Sequence, residues 1–573
     1  PHGSDHFPIL ISLSANGNTA SNIPRTSTPN DVTSPSTPKE FNFNRADWNL
    51  FSDLINHKVT NFDNSLSPIE AYNLFVQIIL DSANQSIQRK HIHNNLYPPS
   101  PPWWDSTCTQ AVKNRNKLFK IYRRSGAIHD FYRYNNACSH TTRLLKSKKS
   151  NAWKLLCNNL NPSSSITSLW KTAKRFRNCI HPLTRPHNDV WFNDFCTKVA
   201  PCYVPSESET TSNLSVNHSH PPSSHCLSLP LTINELNTAI FSRKTAASGI
   251  DCISPLMLKH LPTNALGILL KILNNLIDFN IIPLSWTEYK VIPIPKPHSN
   301  NSFRPIALSS SLCKVVEHIF KNRLDWWLES NSILSDNLYA FRRGRGTTDC
   351  LANFIGDIYQ SFNNRDYLVA TFIDIRGAFD TVNIPLLISR LIALNLPLSF
   401  TNFIFRLFSH RTLHFLSPFG TTNTRTTTTG LPQGSCLSPI LFNIYMCFIT
   451  NRLISPSHNC LVYADDIVIY SHNRQINLAI ASLNDALRSL HNVLSSSFFS
   501  IAPEKCKSLI FSRRRYLQCD ATTIDGYTIP FVPNHTYLGL NMDPKLRWSP
   551  HLNDLTIFAT SWSNFLRSVA NTW

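Results

Sequence analysis

Three aspartates stand out as the residues of this sequence that could do chemistry. Asp465 and Asp466 sit between apolar, β-forming runs in CLVYADDIVIY (460–470), with no lysine or arginine on either side. Asp374 falls near the end of a further apolar run, VATFIDI at 369–375. If the first two lie on a tight hairpin, both carboxylates project from one end of a sheet, and Asp374 on a neighbouring strand completes a cluster. Three such groups without a cation repel one another and hold their protons. A divalent metal resolves that conflict, because Mg²⁺ (with Mn²⁺ as a substitute) takes hard oxygen ligands and shares them with substrate phosphates. Two such ions about 4 Å apart activate an attacking hydroxyl and stabilise a leaving phosphate oxygen. Asp-Asp is also common on surface turns, so the dipeptide alone favours an ordinary turn.

The elements needed to position these groups can be read from the flanking pattern. VATFIDI and LVYADDIVIY read as buried strands. Ile384-Pro385-Leu386 opens a helix with proline in its first turn, and Leu387, Leu391 and Leu394 share a face. Ser438-Pro439 starts another helix, with Ser438 as the expected cap. Leu483, Leu487, Leu490 and Leu494 repeat at helical spacing. From Leu231 onward strands and helices alternate without a long polar gap, the order that builds an α/β domain.

The 573 residues carry a net charge of +19, with 42% apolar content. That excess suits a polyanionic partner. Between 106 and 178, sixteen lysines and arginines accompany a single acid, Asp130. Tyr122, Phe131, Tyr132, Tyr134, Trp153 and Trp170 are interleaved among them. A positive groove with stacking rings fits a phosphate backbone and splayed bases, whereas a merely solvated face would not need to be so one-signed. Residues 16–43 and 203–230 are rich in Ser, Thr, Pro and Asn and read as linkers. The 15 cysteines contain no C-x-x-C. Cys196, Cys202, His218, His220, His225 and Cys226 match no zinc module, so reduced thiols of an intracellular protein are the reading. There is no secretory signal, and the most apolar run, ALGILLKILNNLIDF, is broken by Lys271 and Asp278, so no membrane partner is expected.

Tyr463-Ala464-Asp465-Asp466 between hydrophobic strands resembles the metal-binding motif of reverse transcriptases, and further motifs of that family stand in order around it. Asp374 in FIDIRGAFDTVN resembles the first catalytic aspartate. Gly430 to Ser435, GLPQGS, resembles the motif that contacts template and incoming nucleotide. VIPIPKP (291–297), SFRPIALSSSLCKVVEHIF (302–320) and AFRRGRGTTD (340–349) resemble the fingers motifs. APEKCKSLIF (502–511) resembles the motif carrying a lysine near the pyrophosphate, and YLGLNMD (537–543) the start of the thumb. The flavour is that of a non-long-terminal-repeat, LINE-like element of the Jockey type.

The resemblance implies an α/β fold with an α+β palm: a right-hand polymerase with fingers and palm over 231–510 (core about 275–543) and the start of a thumb over 511–573, cut short by Trp573. A basic helical region, 44–202, precedes it. GSDHFP (3–8) is similar to the closing motif of apurinic-endonuclease-like domains, which makes residues 1–15 the end of such a domain. Without the rest of that domain, Asp5 and His6 are expected to be inert and no endonuclease activity is expected. The family assigns Asp374 and Asp465 to bridging two Mg²⁺ ions, with Asp466 nearby. Phe379 falls where the family places a gate against the ribose 2′-hydroxyl, the alternative being a plain core position. Gln433 and Gly434 would let backbone approach the nascent base pair, Lys296 and Arg304 would face the triphosphate, and Lys505 (or Lys507) would protonate the pyrophosphate. Template RNA, a primer or nicked target DNA, and dNTPs are the implied partners, in a cytoplasmic ribonucleoprotein and the nucleus. One departure concerns the fingers, where Asn337 to Arg342 read NLYAFR and lack the usual Gln and Gly before Phe-Arg. A milder one is Gly346-Thr347-Thr348, where Arg/Ser-Ser-Thr-like sequences are frequent.

Overall fold

The computed structural model describes residues 41–63, 65–89, 103–158, 190–200, 225–242, 247–295, 303–417, 422–453, 455–515 and 519–572. Asp5, His6 and Lys296 lie outside these residues, as do most of the two linker segments.

The chain opens with helices α1 (Trp48–Thr60), α2 (Pro68–Ser86), α3 (Ser106–Ser125), α4 (Ile128–Asn158) and α5 (Val190–Val199). Ser67 and Glu70 form a capping box at the start of α2, with Pro68 in the first turn. After α6 (Ile233–Phe241) and α7 (Thr263–Asp278) come β1 (Glu288–Pro295), β2 (Phe303–Leu308), α8 (Ser311–Ser330) and α9 (Thr347–Asn363). Then follow β3 (Tyr367–Ile373), α10 (Ile384–Ala393), α11 (Leu398–Phe408), β4 (Arg411–Leu416) and β5 (Thr422–Thr427). The order continues with α12 (Ser438–Thr450), β6 (Asn459–Tyr463), β7 (Asp466–Asn473), α13 (Ile476–Ser496) and β8 (Lys507–Phe511). Two short hairpins, β9 (Thr522–Ile524) with β10 (Tyr527–Ile529) and β11 (His535–Tyr537) with β12 (Leu540–Met542), precede the last helix, α14 (Ser549–Thr572).

Two four-stranded sheets organise the body. The palm sheet has the order β6-β7-β3-β8 and is antiparallel throughout. Every residue of β3 is buried, because both faces of the strand are covered. Leu368, Ala370 and Phe372 point to one side, where Phe354 and Ile358 of α9 pack. Val369 and Ile373 point to the other, where Leu483, Leu487, Leu490 and Leu494 of α13 pack. Strict alternation of side chains along a strand buried on both faces yields a continuous apolar run. The fingers sheet has the order β2-β1-β4-β5, with β1 and β4 parallel.

Of the helices before the second linker, α1, α2 and α5 belong to the same body. Trp191 of α5 stacks on Phe303 of β2 at 4.1 Å, and Phe195 meets Phe415 of β4 edge-on at 5.9 Å. Helices α1 and α2 pack against α7, and Tyr72 of α2 accepts a 2.8 Å hydrogen bond from the Trp286 indole. By contrast α3 and α4 pack chiefly on each other as an antiparallel hairpin, turned at Gly126 in the left-handed conformation (φ +65°). Two helix starts differ in detail. Asn383 caps α10, its side chain accepting from Leu386 N–H. In α12 the cap position is Leu437, and the Ser438 hydroxyl turns back to donate to the Pro432 carbonyl at 2.9 Å. Among the described residues no helix is long and apolar enough to cross a membrane, and the twelve cysteines whose side chains are described are free thiols.

Candidate active site

The β6–β7 hairpin closes with Tyr463 paired to Asp466, so its loop is the two residues Ala464 and Asp465. Ala464 takes the left-handed backbone (φ +59°) that a loop this short demands at its first position, and its small side chain limits the strain. Beside it, β3 pairs with β7 with Ile373 opposite Ile467. One further step along that register puts Asp374 beside Asp466. All three carboxylates therefore stand at one end of the palm sheet. Their mutual field is felt most at Asp466, whose carboxyl is pushed up to about 6 by burial first, then by the charges of Asp465 and Asp374.

The same sheet end carries Lys505. Its ammonium donates to Asp374 Oδ1 at 3.3 Å. The segment is anchored by backbone bonds, Ala502 N–H to the Asp374 carbonyl and Arg376 N–H to the Ser500 carbonyl, both 2.9 Å. An Arg376–Glu504 ion pair at 3.0 Å lies alongside. As placed, no three acidic, histidine or cysteine side chains among the described residues form a closed metal cage. The donor set nonetheless fits a hard divalent ion. It consists of carboxylates alone, two of them exposed enough to turn, and one has its ionisation opposed in a way that a cation would relieve.

GLPQGS is folded against both the palm and the fingers. Gly430 N–H donates to the Val382 carbonyl and Leu431 N–H to the Phe379 carbonyl, each at 2.7 Å. The Gln433 carbonyl accepts from Ala307 N–H of β2 at 2.8 Å, and the Gln433 amide donates to Asp380 at 3.5 Å. Gly434 has φ +140°, and a Cβ there would lie 2.3 Å from the Ala307 carbonyl oxygen. The close backbone approach that this glycine permits is thus made to the protein's own β2. Phe379 lies half-buried, stacked on Phe442 at 4.3 Å and edge-on to Phe341 at 6.2 Å. It is a packed ring that still reaches the surface. Arg304 is exposed on β2, opposite Ile294.

Sequence reasoning passed over two groups. Glu317 on α8 is completely buried, accepting from the Ser435 hydroxyl at 2.7 Å and from Cys436 N–H at 2.9 Å, so it anchors the far end of GLPQGS. The available signal was an acid at helical spacing from Cys313 and Phe320, on the apolar face. Arg411 is buried behind the same loop and donates to the Thr429 and Phe408 carbonyls. In the divergent NLYAFR segment, Tyr339 N–H donates to the Val462 carbonyl at 3.1 Å and Val462 N–H to the Asn337 carbonyl at 2.9 Å, lengthening the β6 edge. Arg342 is buried there, bonded twice to Glu329 (2.8 and 2.7 Å) and to the Ser335 and Leu338 carbonyls.

An antiparallel palm sheet with acids at one end, flanked by a second sheet and a pinned glycine loop, defines a class, and residues 294–542 match the family described as "Reverse transcriptase (RNA-dependent DNA polymerase)". Over those residues the chain is similar to reverse transcriptases, and the curated relatives it matches are named for mobile elements and transposons. The RNA-directed DNA polymerase from mobile element jockey of Drosophila melanogaster is 24% identical, over 96% of this chain and 61% of that protein. Its Drosophila funebris counterpart is 23% identical over 78% of this chain and 51% of its own length. "Probable RNA-directed DNA polymerase from transposon BS" of Drosophila melanogaster is 29% identical over 57% and 37%. The chain spans between 37% and 61% of the length of these curated relatives.

Proposed function

We propose that this chain is an RNA-directed DNA polymerase that extends a 3′-hydroxyl primer, nicked target DNA in its natural setting, with dNTPs on an RNA template. The observation that carries the reading is the placing of Asp374, Asp465 and Asp466 at one sheet end, with the GLPQGS loop tied to Phe379 and Val382 just downstream of Asp374. Asp374, Asp465 and Asp466 would hold Mg²⁺, which when bound supplies Lewis-acid activation of the attacking hydroxyl and charge neutralisation at the phosphates. Lys505, whose ammonium lies 3.3 Å from Asp374 Oδ1, would protonate the leaving pyrophosphate. Phe379 would exclude the ribose 2′-hydroxyl by bulk.

Primer extension on an RNA template with dNTPs and Mg²⁺ tests this reading. The chain is expected to extend, Asp465→Ala to abolish extension, and Phe379→Ala to admit ribonucleotides. Extension that survives Asp465→Ala overturns the assignment. No extension by the unaltered chain leaves the other reading, a retroelement-derived protein that binds nucleic acid without copying it.

A further inference from the structure

Helices α3 and α4 hold charge that the proposed polymerase site does not use. Residues 103–158 contain twelve lysines and arginines and two acids. Asp105 is engaged by Lys148 at 2.6 Å, and Asp130 accepts from the Ser125 hydroxyl at 2.6 Å. At about 100° per residue, Lys113, Lys117, Lys120 and Arg124 fall within an arc of about 60° on α3 and span roughly 16 Å. That arc points away from α4. The side facing α4 is marked by buried Cys108 and by Ala111, whose carbonyl accepts from Thr141 of α4. The four cations, with Asn116 and Ile121, line a shallow open groove of about 480 Å³.

Phe119 and Tyr122 fall on the far side of α3 from the stripe, turned toward α4, and Phe119 and Phe131, at 42% and 43% exposure, are packed ring on ring rather than set among the four cations. Phe119 packs on Tyr134 at 5.2 Å, Tyr122 on Phe131 at 5.4 Å, and Tyr122 lies parallel to Tyr134 at 6.4 Å. These four form the seam of the hairpin tip, and of the tip rings Tyr132 is the most exposed, at 62%. The stripe offers positive charge with little stacking surface. Splayed single strands need rings, whereas a double helix presents phosphates outward with its bases already stacked.

We infer that the α3 stripe binds the phosphate backbone of a duplex outside the catalytic cleft, without regard to sequence. This inference rests on the polymerase reading only in that both concern nucleic acid. The test measures binding of the full chain to an RNA duplex of about 20 base pairs, the matching single strand, the matching DNA duplex and phosphatidylserine vesicles, across a salt series. In the variant Lys113→Gln/Lys117→Gln/Lys120→Gln/Arg124→Gln the log–log salt slope for duplex should fall by about 3–4, near 0.9 per lost contact, with affinity down at least about tenfold. Duplex should lose more than single strand, and extension of a short saturating primer–template should be unchanged. Removing equal charge elsewhere (Arg115→Gln/Arg123→Gln/Arg143→Gln/Lys154→Gln) should cost less. Equal losses in the two variants, an unchanged slope, or a greater loss for single strand or vesicles overturns the inference. The binding readout stands whether or not the chain polymerises, and Asp465→Ala should leave it intact.

Discussion

Replacing Gly434 with alanine tests the joint between fingers and palm most directly. The added Cβ would sit 2.3 Å from the Ala307 carbonyl oxygen, where real Cβ atoms essentially never come within 3.0 Å. The loop and β2 must therefore separate by about 0.7 Å or more, which takes the 2.8 Å Ala307 N–H to Gln433 bond to the edge of hydrogen-bonding range. Ala307 is buried, so its stranded N–H costs about 1–3 kcal/mol. The φ of +140° adds about 1–3 kcal/mol for a residue with a side chain. Together these amount to about 2–6 kcal/mol. Urea unfolding of the full chain reads the loss, and steady-state extension should show a raised KM for dNTP. Gly126→Ala is the control. Its φ is +65° but nothing lies within 4 Å of the new Cβ, so only the conformational part remains. If Gly434→Ala unfolds at the same urea concentration as the parent, or no earlier than Gly126→Ala, the loop is not pinned as described.

Asp466 gives a pH prediction of definite sign. Its carboxyl is raised in the folded chain to about 6, so ionisation opposes folding; the penalty enters as pH rises past the unfolded value near 3.8 and is complete above about 6. Asp466→Asn should raise Tm at pH 7–8 in EDTA, give no gain at pH 4, and abolish extension; equal gains at both pH values would refute the origin of the shift. Mg²⁺ should raise the parent's Tm at pH 7–8 more than the variant's. Arg342→Ala, which takes a buried donor from part-exposed Glu329 and from the Ser335 and Leu338 carbonyls, should cost about 1–3 kcal/mol in urea unfolding. Arg342→Lys should not restore it, because one ammonium cannot reproduce the forked pair to Glu329.

The acidic end of the palm sheet was legible because its determinants are local. An apolar run of seven residues with an acid next in sequence, and two acids between apolar triplets, signal strands that end in carboxylates whatever surrounds them. Long-range partners were not legible. Nothing near Gly434 in sequence says that the backbone it approaches is Ala307, and the role of Glu317 depends on a loop more than a hundred residues away. Ser438 looked like a cap because serine before proline usually is one, but the Pro432 carbonyl competes for its hydroxyl. Tyr122, Phe131, Tyr132 and Tyr134 read from the sequence as stacking platforms. Periodicity alone could not separate rings on the seam of a helical hairpin from rings facing solvent. The second linker was visible in composition, which reports the polarity of the linker and not where its flanks dock.

That docking has a consequence for what counts as one folding unit. The motif span begins near Leu231, yet Trp191 and Phe195 lie over the fingers sheet, and Tyr72 receives the indole proton of Trp286. A chain begun at the first recognisable motif would present Phe303, Leu413 and Phe415 to water and leave a buried tryptophan N–H without its acceptor. Sequence drift is therefore costly in α5, although that helix lies outside every motif.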